Sequence, residues 1–171
     1  MEHDDPVRLA AELQALYADQ LAEPHFAALL ADLSARNAPL IPIYDDHDFL
    51  GNDRCGGDAP PALREAARAV FVDTFAPLMT GQDVYRLQRV GPADIIVLDE
   101  RFYRTRPAVS RDRRDAILGT EQWNWFEGAF TTSTAAYVLI ASSSTFHKWK
   151  TEAWARLPAT WKNFRATSQV R

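Results

Sequence analysis

The chain has 171 residues, 47% of them hydrophobic and 11% aromatic, which is enough apolar surface for one ordinary folded domain. Its 19 basic and 23 acidic side chains leave a net charge of −4, with neither sign gathered into a long block, so nucleic acid and anionic membrane surfaces are disfavoured as partners. A single cysteine, Cys55, excludes an intramolecular disulfide and any multi-cysteine zinc site.

The opening MEHDDPVRLAAELQ is acidic and then helical in pattern, with no basic n-region or continuous apolar stretch. No span approaches the roughly 18 to 20 apolar residues of a membrane helix, so as written, and unless a leader has been lost, the sequence reads as cytoplasmic. From Pro6 to Ala22 the residues Val7, Leu9, Leu13, Leu16, Tyr17 and Leu21 recur at helical spacing, with Asp4 or Asp5 as cap. Pro24 suits the first turn of a second helix carrying Phe26, Leu29, Leu30 and Leu33, which stops near Asn37 because Pro39 cannot continue it.

Leu40 to Tyr44 is a short apolar run that reads as a buried strand, with Pro42 arguing for an edge or an irregular start. Where it ends, DDHDFLGND begins, and in open α/β sheets ligands gather beyond the carboxyl ends of strands. GNDRCGGDAPP is a Gly, Asp and Pro loop, followed by a helix over Pro60 to Met79 with Leu63, Ala67, Val70, Phe71 and Phe75 on one face. Val84 to Val90 and Ile95 to Leu98, separated by Gly91 and Pro92, form a hairpin, and Asp99 stands at the end of its second strand. The polar, basic RTRPAVSRDRRD is a surface loop. A helix over Thr120 to Phe130 and a buried strand over Ala135 to Ala141 follow, then a Ser-rich turn and a tryptophan-rich tail. Helix and strand alternate along the whole length, so the fold class is α/β in a single domain, residues 1–171.

Carboxylates, Asn carbonyls and imidazole nitrogens are ligands for Ca, Mg, Mn, Fe or Zn, and a bound metal activates water and clamps a phosphoryl oxygen. Asp45, Asp46, Asp48, Asn52 and Asp53 could supply such ligands, with His47 beside them as a general acid. On residue types alone a solvated acidic loop is the better account. In DERFYR, Arg101 and Arg104 could hold a phosphate bidentately with Asp99 orienting one of them, and the alternative is a buried or rim salt bridge. His25 and His147 have no partners at ligand spacing. The sequence has no GxSxG, no Walker loop and no Rossmann glycines, and the five tryptophans, in mixed charge, read as packing residues. A regular EF-hand spacing is also missing, so bare calcium binding by the acidic loop ranks last.

Taken in order, IYDDHDFLGND, VDTFAPLM, VYRLQRVGPADIIVLDERFYR, ILGTEQWNWFEGAF, AYVLIASSS and EAWARLP resemble the alkaline phosphatase D (PhoD-like) family of metallophosphatases. The resemblance is colinear from the second helix to Pro158. It implies a calcineurin-like sandwich with a mixed sheet flanked by helices. It also implies hydrolysis of phosphomonoesters and phosphodiesters at a cluster of metal ions, calcium with iron. By the same resemblance Asp46 takes a metal-ligand position, His47 the position that contacts phosphate or the leaving group, and Asn52 that of an oxygen ligand to a second metal. Two further family motifs, an early Gly-Asp before a tyrosine-containing loop and a late Gly-Asp-Val-His, have no counterpart between Met1 and Arg171. The expectation is therefore a partial domain with a divergent tail at residues 159–171. Its open sheet edges would meet a complementary chain or a second copy. The competing function is a non-catalytic remnant or split piece of the family.

Overall fold

The computed structural model of the chain describes residues 5–79, 83–105, 116–146, 153, 154 and 162. Helix α1 is Pro6–Ala22, capped by the Asp5 carboxylate, which accepts the Val7 amide, with Pro6 in the first turn where its missing N–H costs nothing. Glu23 ends α1 and caps α2, Pro24–Ala35, by accepting the Phe26 amide. Helix α3 is Pro61–Phe75 and runs into a 3-10 turn, Ala76–Leu78. The continuous helix expected to Met79 therefore tightens at its end, because Pro77 has no amide to carry an α-helical bond onward.

The hairpin pairs β1, Arg86–Val90, antiparallel with β2, Ala93–Val97, across the Gly91–Pro92 turn, where Gly91 takes φ 54°. Helix α4 is Gly119–Thr132, and β3, Tyr137–Ala141, lies parallel to β2 on its far side, giving a mixed sheet of order β1-β2-β3. A parallel neighbour needs a crossover, and α4 with its flanking loops supplies it.

Two apolar clusters hold these elements. The first joins Leu9, Leu13 and Tyr17 of α1 to Leu63, Val70, Phe71 and Phe75 of α3, with Tyr44, Phe49, Leu50 and Phe102 inserted from loops. Tyr17, Tyr44 and Phe71 meet edge to face, with ring centroids 4.9 Å apart for Tyr44 and Phe71. The second packs Ile96 and Leu98 under Trp123, Phe126 and Phe130 of α4, together with Ile117 and Trp154. Each side chain of this size contributes on the order of 1.5 to 3 kcal/mol when fully buried.

Two further expectations are corrected here. Leu40 to Tyr44 is not a strand, since among the described residues no strand lies beside it and Pro39 and Pro42 remove two amides from any ladder. The segment is held instead by Tyr44 in the first cluster and by Arg86, whose Nη2 donates to the Pro42 carbonyl at 2.8 Å. The strand expected from Ala135 is shorter and not buried on both faces: Val138 and Ile140 pack on the α4 side, whereas Tyr137 is 64% and Leu139 54% exposed. Helix α2 buries none of its residues fully, and its apolar side lines a shallow groove with Leu40 and Leu78.

Candidate functional site

The loop from Asp45 to Asp53 is organised by one residue. The Asp46 carbonyl accepts the amides of Phe49, Leu50 and Gly51 at 3.2, 3.1 and 2.8 Å, and its carboxylate accepts those of His47 at 3.0 Å and Asp53 at 2.7 Å. Gly51 at φ 103° and Asp53 at φ 56° supply the left-handed positions that close the turn. From beneath, Phe49 and Leu50 anchor the loop in the first cluster and the Tyr17 hydroxyl donates to the Asp48 carbonyl at 2.7 Å. His47, Asn52 and Asp53 are left exposed on the outer side.

Electrostatics favour the ionised form of Asp46. Burial works against ionisation, but the Asp53 amide, the Arg101 guanidinium and the His47 amide outweigh it and hold the carboxyl below the ordinary carboxylate range. Asp48 moves the other way, pushed up by burial and by the neighbouring charges of Asp45 and Asp46.

Arg101 lies under this loop. Its side chain is 3% exposed, Nε donates to Asp45 Oδ1 at 2.7 Å, and Nη2 is 2.5 Å from that oxygen and 4.0 Å from Asp46 Oδ1. The backbone that presents it is fixed by Asp99, whose Oδ1 accepts the amides of Arg101 and Phe102 and whose Oδ2 accepts the Tyr44 hydroxyl at 2.5 Å. Gln122 of α4 completes the joint, accepting the Asp99 amide and donating to the Asp99 carbonyl, both at 2.8 Å. Asp99 is fully buried, and burial raises its carboxyl more than these donors and the Arg68 charge lower it. The Gly56 and Gly57 amides donate to the carbonyls of Arg101 and Arg104, a close backbone approach that a Cβ at Gly56 would block against the Phe102 carbonyl.

The chain shows its family through its sequence. The model of the PhoD-like phosphatase family matches residues 3–167, nearly the whole length. The chain belongs to the PhoD-like phosphatase family. No curated protein matches it. A solved structure described as "Structure of PhoD" superposes with a TM-score of 0.59 at 23% identity, over 77% of this chain and 32% of that one. The chain thus spans about a third (32%) of the length of the structure it matches. That likeness gives the PhoD-like chain a metallophosphatase-like α/β fold, with its mixed sheet and flanking helices.

Asp46, His47 and Asn52 lie on one loop, and Arg101 sits directly beneath it. The Arg101 guanidinium does not face outward as a phosphate clamp: it is buried and paired with Asp45. Asp99 accepts backbone amides and the Tyr44 hydroxyl, not an arginine side chain, as the sequence reading had it. Arg104, expected on a surface loop, is also buried, with Nη1 donating to Ser144 Oγ at 3.0 Å, and residues 106–115 of that loop lie outside the described residues. His147, Trp149, Trp161 and nearly all of the 159–171 tail lie outside them too.

The sequence reading missed the supports of the loop: Tyr17 lies outside the quoted motifs, Tyr44 and Gln122 lie inside them with no role assigned, and only the adjacency of Asp99 to Arg101 hinted at a joint. A multinuclear centre takes several ligands per ion, from several chain segments. Among the described residues no three His, Cys, Asp or Glu side chains converge on one point. Asp45 is engaged by Arg101, and Asn52 Nδ2 donates to Asp53 Oδ2 at 3.2 Å. The described residues thus offer Asp46 and the Asn52 carboxamide, and do not fit a complete metal centre by themselves.

Proposed function

We propose that this chain carries the central loop of a metal-dependent phosphoesterase acting on phosphomonoesters or phosphodiesters. The observation that supports the reading is the loop itself: an ionised Asp46, oriented by two backbone amides, next to an exposed His47. Backbone amides fix where the carboxylate points without using all of its lone pairs, which is how a ligand position is pre-organised. In this reading His47, on the solvent side, gives a proton to a leaving alkoxide oxygen. Asp46 and Asn52 are the ligands this chain brings to the metal ions of the family, calcium and iron, and the remaining ligands come from outside the described residues. The chain's own residues hold the loop, orient the carboxylate and present the proton donor.

The engagement of Asp45 by Arg101 favours a second reading, a non-catalytic piece of the family. Metal content and hydrolysis of bis(p-nitrophenyl) phosphate by the purified chain separate the two. The first reading expects stoichiometric calcium or iron and turnover that His47→Ala abolishes. Neither metal nor turnover would leave the second reading standing.

A further inference from the structure

We propose that the Arg101 guanidinium is a built-in counter-cation of the DDHD loop, one that keeps Asp45 out of any metal-ligand set and so lowers the affinity of the loop for a divalent cation. The inference rests on the reading of this loop as the cation-binding part of the chain. Residues 45–53 include the carboxylates of Asp45, Asp46, Asp48 and Asp53. A hard cation such as calcium takes about six to eight oxygen ligands, and neighbouring aspartates are the first it recruits. Here one of the adjacent pair is already taken.

Nε and Nη2 of Arg101 both reach Asp45 Oδ1, at 2.7 and 2.5 Å, and Nη2 is 4.0 Å from Asp46 Oδ1. A single charged group thus serves both carboxylates. The Asp45 side chain is 44% exposed, so what withholds it from a cation is its partner and not its position.

That partner is fixed from behind. The Arg101 amide donates to Asp99 Oδ1 at 3.1 Å, its carbonyl accepts the Gly56 amide at 2.7 Å, and its side chain is buried. A metal that took Asp45 would strip a buried guanidinium of the carboxylate that holds it, and breaking a pair in this way is costly. Salt screens a buried charge poorly, so the same guanidinium also opposes a second cation arriving at Asp46. The incomplete ligand set of the described residues and the Arg101 pair are therefore one feature: the charge that a metal would neutralise is neutralised from inside.

Calorimetric titration of the chelator-treated 171-residue chain with calcium chloride is the test, run on the parent, Arg101→Met, Arg101→Lys and the double variant Arg101→Met with Asp45→Asn, each first checked for native circular dichroism. Methionine removes the charge and keeps most of the volume, lysine keeps the charge, and Arg101→Gln takes the place of Arg101→Met if the latter does not fold. The expected result is calcium binding at least about tenfold tighter in Arg101→Met than in the parent, no gain in Arg101→Lys, and loss of the gain in the double variant. No difference between the parent and Arg101→Met, a gain shared by Arg101→Lys, or a gain that survives Asp45→Asn would overturn the proposal. Turnover does not enter the comparison. A tighter Arg101→Met in a chain that hydrolyses nothing upholds the counter-cation and sinks the phosphoesterase reading; equal affinities in a chain whose turnover depends on His47 do the reverse.

Discussion

At the scale of single residues the loop shows a division of labour between adjacent aspartates. Asp46 accepts one backbone amide on each carboxylate oxygen, and Asp45 places its charge against Arg101. The pair is lopsided: the Arg101 side chain is 3% exposed and that of Asp45 is 44% exposed. Removing the exposed partner leaves the costlier group behind, because a guanidinium that loses its carboxylate in the interior gains no water in exchange. Asp45→Ala should therefore destabilise the chain by about 2 kcal/mol, discounted from the fully buried case because water already reaches one side of the bridge. Arg101→Met removes the charge and keeps most of the packed volume, and should cost less. Urea midpoints of the two variants at neutral pH check the order, and the reverse order would show that Arg101 acts mainly through its packing.

At the scale of elements, Glu100 ties the end of β2 to the turn after β3. Fully buried, its Oε1 accepts from Ser142 Oγ at 2.5 Å and Trp154 Nε1 at 3.1 Å, and its Oε2 from the Ser144 amide at 2.9 Å. Burial raises its carboxyl more than these donors and the Arg104 charge lower it. A carboxyl raised on folding contributes stability that is complete below its unfolded pKa, about 4.3, and is lost as pH rises through the folded value. Stability measured against pH should fall over that window in the parent chain, and Glu100→Gln, which cannot ionise, should flatten the fall while matching the parent in acid. Glu100→Ala should cost about 1 to 3 kcal/mol in acid, since three donors lose their acceptor, and the cost should shrink as pH rises. Periodicity and turn chemistry made α1, α2, α4 and the hairpin legible from the sequence, and the DDHD loop was legible through its motif. What stayed hidden depended on neighbours distant in sequence. Leu40 to Tyr44 has the composition of a strand but, among the described residues, no strand to pair with. AYVLIA looks buried on both faces until it is seen that α4 covers only one. The side chains that hold the loop, from Tyr17 to Gln122, act across separations that no local pattern records.

At the scale of the molecule, the question is whether two apolar clusters make one cooperative unit. Three links join them. β2 passes from Ile96 and Leu98 in the second cluster to Phe102 in the first within a few residues, the Tyr44 hydroxyl reaches the buried Asp99, and Arg101 grips Asp45. Opening either cluster would strand a buried carboxylate and a buried guanidinium, a cost of several kcal/mol that is a large part of the roughly 5 to 15 kcal/mol by which a domain is stable. One cooperative transition follows. Trp123 and Trp154 belong to the second cluster and Trp125 packs against it, so with Trp149 and Trp161 replaced by Phe the remaining tryptophan fluorescence reports there, while far-UV circular dichroism also sees α1 and α3. Phe71→Ala, a cavity of about 3 to 5 kcal/mol in the first cluster, should move both transitions equally to lower urea. If the dichroism shifts and the fluorescence stays, the clusters unfold separately, and the joint at Asp99 and Arg101 is weaker than its geometry implies.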